Sequence, residues 1–142
     1  ALMRPKFGLQ DVGADDQQLI SDWLTHLEEE ELDYTLSFRA LADRVSADGE
    51  PEFGEVESRW RQRLGDQDPE QTRALMNSVN PLFIPRNHRV EEAIEQAVAG
   101  NYSVFEDLNR ALENPFEPQP EFAEYAEPPE PHERVRQTFC GT

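Results

Sequence analysis

Short apolar stripes recur along this chain at three- and four-residue spacing, each closed by a glycine, a proline or a run of acids, and no stretch alternates apolar with polar residues as a strand would. That rhythm restricts the chain to helices packed through one face each. The predicted class is all-α, an irregular bundle of about six helices with an extended Pro-rich tail. Residues 1–113 form the predicted helical domain and 114–142 a Pro/Glu-rich tail that ends in a terminal Cys motif.

The stripes place the elements. Residues 1–13 read as an irregular lead-in broken by Pro5, Gly8 and Gly13. Asp15 or Asp16 caps a helix whose inner face holds Leu19, Ile20, Trp23, Leu24 and Leu27, and whose end falls in Glu28–Glu31, where the helix dipole disfavours anions. A second helix starts at Asp33 or Thr35 and turns Tyr34, Phe38, Leu41, Ala42 and Val45 inward. Pro51 suits the first position of a third, with Phe53, Val56, Trp60 and Leu64 inward and a stop at Gly65. Asp68, Pro69 and Gln71 are an N-cap, an N1 proline and an N3 glutamine opening a fourth, which carries Leu75, Met76 and Val79.

Pro81 and Pro85 then enclose an extended apolar segment, Leu82 to Ile84, because a residue before proline is driven out of the helical region. A fifth helix runs from about Asn87 to Ala99 with Val90, Ile94, Ala97 and Val98 inward and Gly100 as its stop. Ser103 and Glu106 have capping-box spacing for a sixth, with Phe105, Leu108 and Leu112 inward. From Asn114 on, six of the eleven prolines alternate with glutamates, which rules out helix and sheet strand. Phe116, Phe122 and Tyr125 in that stretch suit a strap lying on a surface.

Charge narrows the function. Thirty acidic against 13 basic residues leave a net charge of −17, which phosphate backbones repel, so nucleic acid is not an expected partner. No apolar run approaches the roughly 20 residues of a membrane span, so no membrane partner is expected. The single cysteine, Cys140, forms no internal disulfide and fits a reducing cytoplasm. His26, His88 and His132 lack the helical spacing of paired metal ligands, so no metal site is expected. No Gly-rich phosphate loop and no nucleophile-base pair stands out, so no catalytic or cofactor-binding residue is assigned. The polar cluster Arg86, Asn87, His88 and Arg89 reads as a helix start whose arginines pair with the acidic surface, the alternative being contact with an anion or another domain. Cys140, three residues from the end, is either inert or an accessible redox thiol.

An ordered string of residues carries a resemblance: Met3-Arg4, Lys6, Gly8-Leu9, Asp33-Tyr34-Thr35, Phe38-Arg39-Ala40-Leu41, Asn80-Pro81, Arg86-Asn87, Ala93-Ile94, Ala97, Gly100-Asn101-Tyr102, Asn114-Pro115-Phe116, Gln119-Pro120-Glu121, Tyr125-Ala126, Pro128-Pro129 and Cys140. It resembles the carboxy-terminal region of the selenoprotein O family and covers most of the chain. The resemblance implies a kinase-like parent enzyme that moves AMP from ATP to protein hydroxyls with a divalent metal such as Mg. The nucleotide- and metal-binding residues of that family lie upstream of this region, so none is carried onto a position here. The partners implied are the kinase-like portion of the parent chain and its protein substrates. Cys140 matches a position that is selenocysteine in animal members, which favours a redox role. The competing expectation is a free-standing acidic helical module that binds other proteins.

Overall fold

The computed structural model describes residues 3–133. They form six α-helices, α1 (Asp16–Glu29), α2 (Tyr34–Ala42), α3 (Gly54–Leu64), α4 (Pro69–Val79), α5 (Asn87–Val98) and α6 (Ser103–Glu113), with 3-10 segments at Arg4–Phe7, Pro120–Ala126 and Pro131–Glu133. There is no strand among the described residues, as the periodicity predicts. No described helix is long and apolar enough to cross a membrane. The chain divides into two compact units, one up to Pro81 and one from Leu82.

The first unit is built around a segment without any helical rhythm. The expected lead-in is instead a 3-10 turn that drives Phe7 into the centre, where it is 1% exposed and meets the rings of Phe38 and Trp23 edge-on at 5.2 and 6.1 Å. Gly8 then turns at φ 72°, and a Cβ there would stand 2.5 Å from the Thr72 methyl, so only glycine lets this strand of backbone lie against α4. Around it, α1 pairs with α3, and α2 with α4, burying Leu19, Trp23, Leu41, Trp60 and Met76.

Helix ends separate local from tertiary control. Asp33 Oδ2 accepts from Leu36 N at 2.8 Å, and Asp68 Oδ2 accepts from Gln71 N at 3.0 Å, both as the sequence predicts. At α1 neither predicted cap forms: Asp15 makes no side-chain cap, and Asp16 reaches back to accept from Gly13 N at 2.8 Å. Pro51 is not the first residue of α3. That helix begins at Gly54, because Glu57 Oε1 accepts from Glu52 N and Phe53 N and holds the approach non-helical.

In the second unit α5 and α6 pack along each other, and Pro120–Ala126 lies on α6. The Leu82–Ile84 segment is non-helical, as predicted, but bends at Leu82, with Leu82 N and Phe83 N both donating to Pro115 O. The described tail departs from a plain strap: it coils into 3-10 turns led by Pro120 and Pro131, a form that proline tolerates at its first position, and it buries Tyr125 and Ala126 with Phe83, Ala93, Leu108 and Ala111. Gln119 Nε2 donates to the Ala111 and Asn114 carbonyls, satisfying the end of α6.

Two predicted inner faces are rotated. In α5 the buried face holds His88 and Ala93, while Ile94 and Val98 are 53% and 85% exposed. In α6 it holds Leu108 and Ala111, while Phe105 is 50% exposed. Ala93 and Ala111 take buried positions beside Leu108, and the larger Ile94, Val98 and Phe105 fall on the outer flank. The Ser103–Glu106 box does not form either. Asn101 Oδ1 accepts from both Ser103 N and Ser103 Oγ, an Asx turn that takes over the cap.

Candidate functional site

Two buried carboxylates organise the polar chemistry of the first unit. Asp16, 1% exposed, accepts from Arg63 Nε at 2.6 Å, from Arg4 Nε at 3.1 Å and from Gly13 N. The Arg63 guanidinium, opposed only in part by burial, holds its pKa down at about 2. Glu57, fully buried on α3, is paired with Arg61 and with Arg44 (Nε to Oε2, 3.2 Å), while its other oxygen takes the two backbone N–H groups before the helix. Glu57 has two donors on each oxygen, and Asp16 carries its donors mostly on Oδ2, so both carboxylates are engaged in structural bonds.

Beside Asp16 lies an open groove of about 530 Å³ lined by Asp15, Asp16, Gln18, Leu19, Arg59, Gln62 and Arg63. Its cations are already matched: Arg59 Nη1 lies 2.5 Å from Asp22 Oδ2, and Arg63 also bonds Asp11. Asp15 and Asp16 line the same groove, so its arginines face carboxylates within it.

The predicted Arg86–Arg89 cluster lies at the start of α5. Arg89 Nη1 bonds Glu92 at 2.7 Å, its Nη2 donates to the Glu124 carbonyl, and its guanidinium sits 5.6 Å from the Tyr125 ring centre. It ties the Pro-rich segment to α5, in line with the structural reading of the cluster. His88 is buried, and that burial, reinforced by Arg89 and Arg86 against Glu133 and Glu92, pushes its pKa below the usual histidine range. His26 instead packs edge-on against Phe53 at 6.3 Å, and His132 lies in the last 3-10 turn. Among the described residues no three His, Cys, Asp or Glu gather to hold a metal ion. Cys140, the one redox candidate, lies outside the described residues.

Sequence patterns missed the Asp16 clamp, since a partner 47 positions away leaves no periodic trace, and Glu57, whose i+4 pairing with Arg61 looks like any surface helix pair. The resemblance string did point to their neighbours. Lys6 Nζ donates to Asn80 Oδ1, and Asn80 Nδ2 returns a bond to the Lys6 carbonyl, both at 3.0 Å. The Lys6 ammonium also lies 5.0 Å from the centre of the Phe38 ring, and Arg39 Nη1 donates to the Asn77 and Asn80 carbonyls. Motif residues without evident chemistry are therefore the fasteners of the first unit.

These features define an acidic chain whose described residues form two helical units with their buried carboxylates held by arginines. No protein-family model matches it. Among curated proteins it is 48% identical to the Protein nucleotidyltransferase YdiU of Nitrobacter winogradskyi over 153 aligned positions, which take in 99% of this chain and 30% of that protein. It is 47% identical to the protein of the same name in Rhizobium etli and 44% to that in Bradyrhizobium diazoefficiens, in each case over 99% of this chain and 31% of the relative. Nearly the whole chain is thus similar to proteins named YdiU, and it spans about 30% of the length of the curated relatives it matches.

Proposed function

We propose that this chain is the carboxy-terminal helical portion of a YdiU-type protein nucleotidyltransferase that moves AMP from ATP to protein hydroxyls, and that it takes no direct part in the chemistry. Its work is to steady the kinase-like portion of the parent in the cytoplasm, where protein substrates, ATP and Mg are handled by residues outside this stretch. The observation that carries the reading is the engagement of Asp16 and Glu57: the two best-placed carboxylates are held by arginines and backbone N–H groups, an arrangement that confers rigidity and commits them to structural bonds. The extensive identity to proteins named nucleotidyltransferases supports the parent activity. Calorimetric titration of the chain with Mg-ATP tests it. Flat heats are expected, and micromolar affinity overturns it.

A second reading, a free-standing acidic interaction module, draws on the net charge of −17. It separates from the first in a chimaera: this chain, put in place of the matching stretch of the Nitrobacter winogradskyi relative, preserves nucleotidyl transfer under the first reading and abolishes it under the second. A redox role for Cys140 rests on the resemblance alone, and a Cys140→Ser chimaera of unchanged activity under oxidising and reducing conditions removes it.

A further inference from the structure

The second unit carries an apolar surface that its own core does not use. Of the nine large hydrophobic residues exposed among those described, four fall between positions 94 and 105: Ile94, Val98, Tyr102 and Phe105, from 50% to 85% exposed. The short connection through Gly100, at φ 93°, reverses the chain, so α5 and α6 lie antiparallel as they pack. Ile94 follows Ala93 and Phe105 follows Val104, each turned about 100° past a residue that faces the opposite helix. Equal rotations on antiparallel neighbours bring both side chains to the same side of the hairpin. Val98, one turn beyond Ile94, and Tyr102, at the N-cap of α6, extend that side toward the connection. The result is one continuous patch, where scattered exposed residues would need no explanation.

Two observations decide what covers it. Glu91, Glu95 and Glu106 neighbour the patch, and the whole chain carries −17, so a second copy would bring like charge against like charge at the rim. The relatives, moreover, hold about 70% of their length outside the stretch that matches this chain. We infer that the Ile94–Val98–Tyr102–Phe105 face is the seat of the kinase-like portion of the parent polypeptide, which meets it with an apolar centre rimmed by Lys or Arg. This rests on the reading proposed above and specifies which face of the helical portion makes the contact.

Hydroxyl-radical footprinting compares this chain alone with the chimaera in the Nitrobacter winogradskyi relative. Oxidation of Tyr102 and Phe105 is expected to fall at least threefold in the chimaera. The double substitution Ile94→Glu/Phe105→Glu is expected to leave the melting temperature of the isolated chain unchanged and to restore Tyr102 oxidation in the chimaera. Equal oxidation in both contexts, in a chimaera that retains nucleotidyl transfer, overturns the assignment of the face while leaving the functional reading intact. An isolated chain that sediments as a dimer and becomes monomeric on Phe105→Glu assigns the face to a second copy and also overturns it. A chimaera without transfer, when the relative retains it, sinks the functional reading and this inference together.

Discussion

Trp60 Nε1 donates to the carbonyl of Phe7 at 2.8 Å, linking α3 to a turn 53 positions earlier in the chain. Both residues are 1% exposed, and the Phe7 ring sits against Trp23 and Phe38, so one bond and one ring fasten the same turn from two sides. Phe7→Ala is expected to destabilise the first unit by about 3–5 kcal/mol through cavity formation. Trp60→Phe is expected to cost about 1–3 kcal/mol by stranding the buried Phe7 carbonyl. Urea unfolding followed by tryptophan fluorescence checks both, and a Trp60→Phe variant as stable as the parent would show that water reaches that carbonyl.

Acid should loosen the first unit through Asp16. Its pKa is near 2 in the folded state, below the unfolded carboxyl, so its contribution is fully present above about pH 4 and disappears as pH falls toward 2. A shift of this size corresponds to about 2 kcal/mol. Asp16→Asn removes that part of the pH dependence, and unfolding midpoints measured between pH 5 and 2 should converge for the two proteins at the acid end. Parallel curves across the range would contradict the Arg63 pairing.

His88 places a second acid sensitivity in the other unit, at higher pH. Burial lowers its folded pKa, whereas the unfolded residue takes a proton near the ordinary value of about 6.5. Stability is therefore complete above that pH and falls as pH drops below it, because only the unfolded state is protonated there. Arg86, Arg89, Glu92 and Glu133 set the local field. In His88→Asn the loss between pH 7 and 5 should flatten, read by thermal melts at each pH; an unchanged slope would exclude His88 as its source.

The helix caps give a paired test. Asp68→Ala should cost about 1 kcal/mol, since Gln71 N loses its acceptor. At α6 the burden falls on Asn101, so Asn101→Ala should destabilise by a similar amount and Glu106→Ala by no more than about 0.5 kcal/mol. Greater damage from Glu106→Ala would restore the capping box that the sequence spacing predicts.

By itself the sequence determined the all-helical class, most helix bounds, the Asp33 and Asp68 caps and the break in helix at Leu82–Ile84, because propensity, capping and proline sterics act within a few residues. It also carried the resemblance to the relatives, through a string of residues whose structural work, as with Lys6 and Asn80, is spread over 74 positions. Only the tertiary structure decided that Phe7 is core, that Asp16 and Glu57 are clamped by arginines, and that Ile94, Val98 and Phe105 face outward. The physical reason is the same in each case. A helix shows in its own sequence that it has an apolar stripe, but which edge of the stripe is buried depends on how closely the neighbouring helix approaches, and an ion pair exists only once distant segments have been brought together.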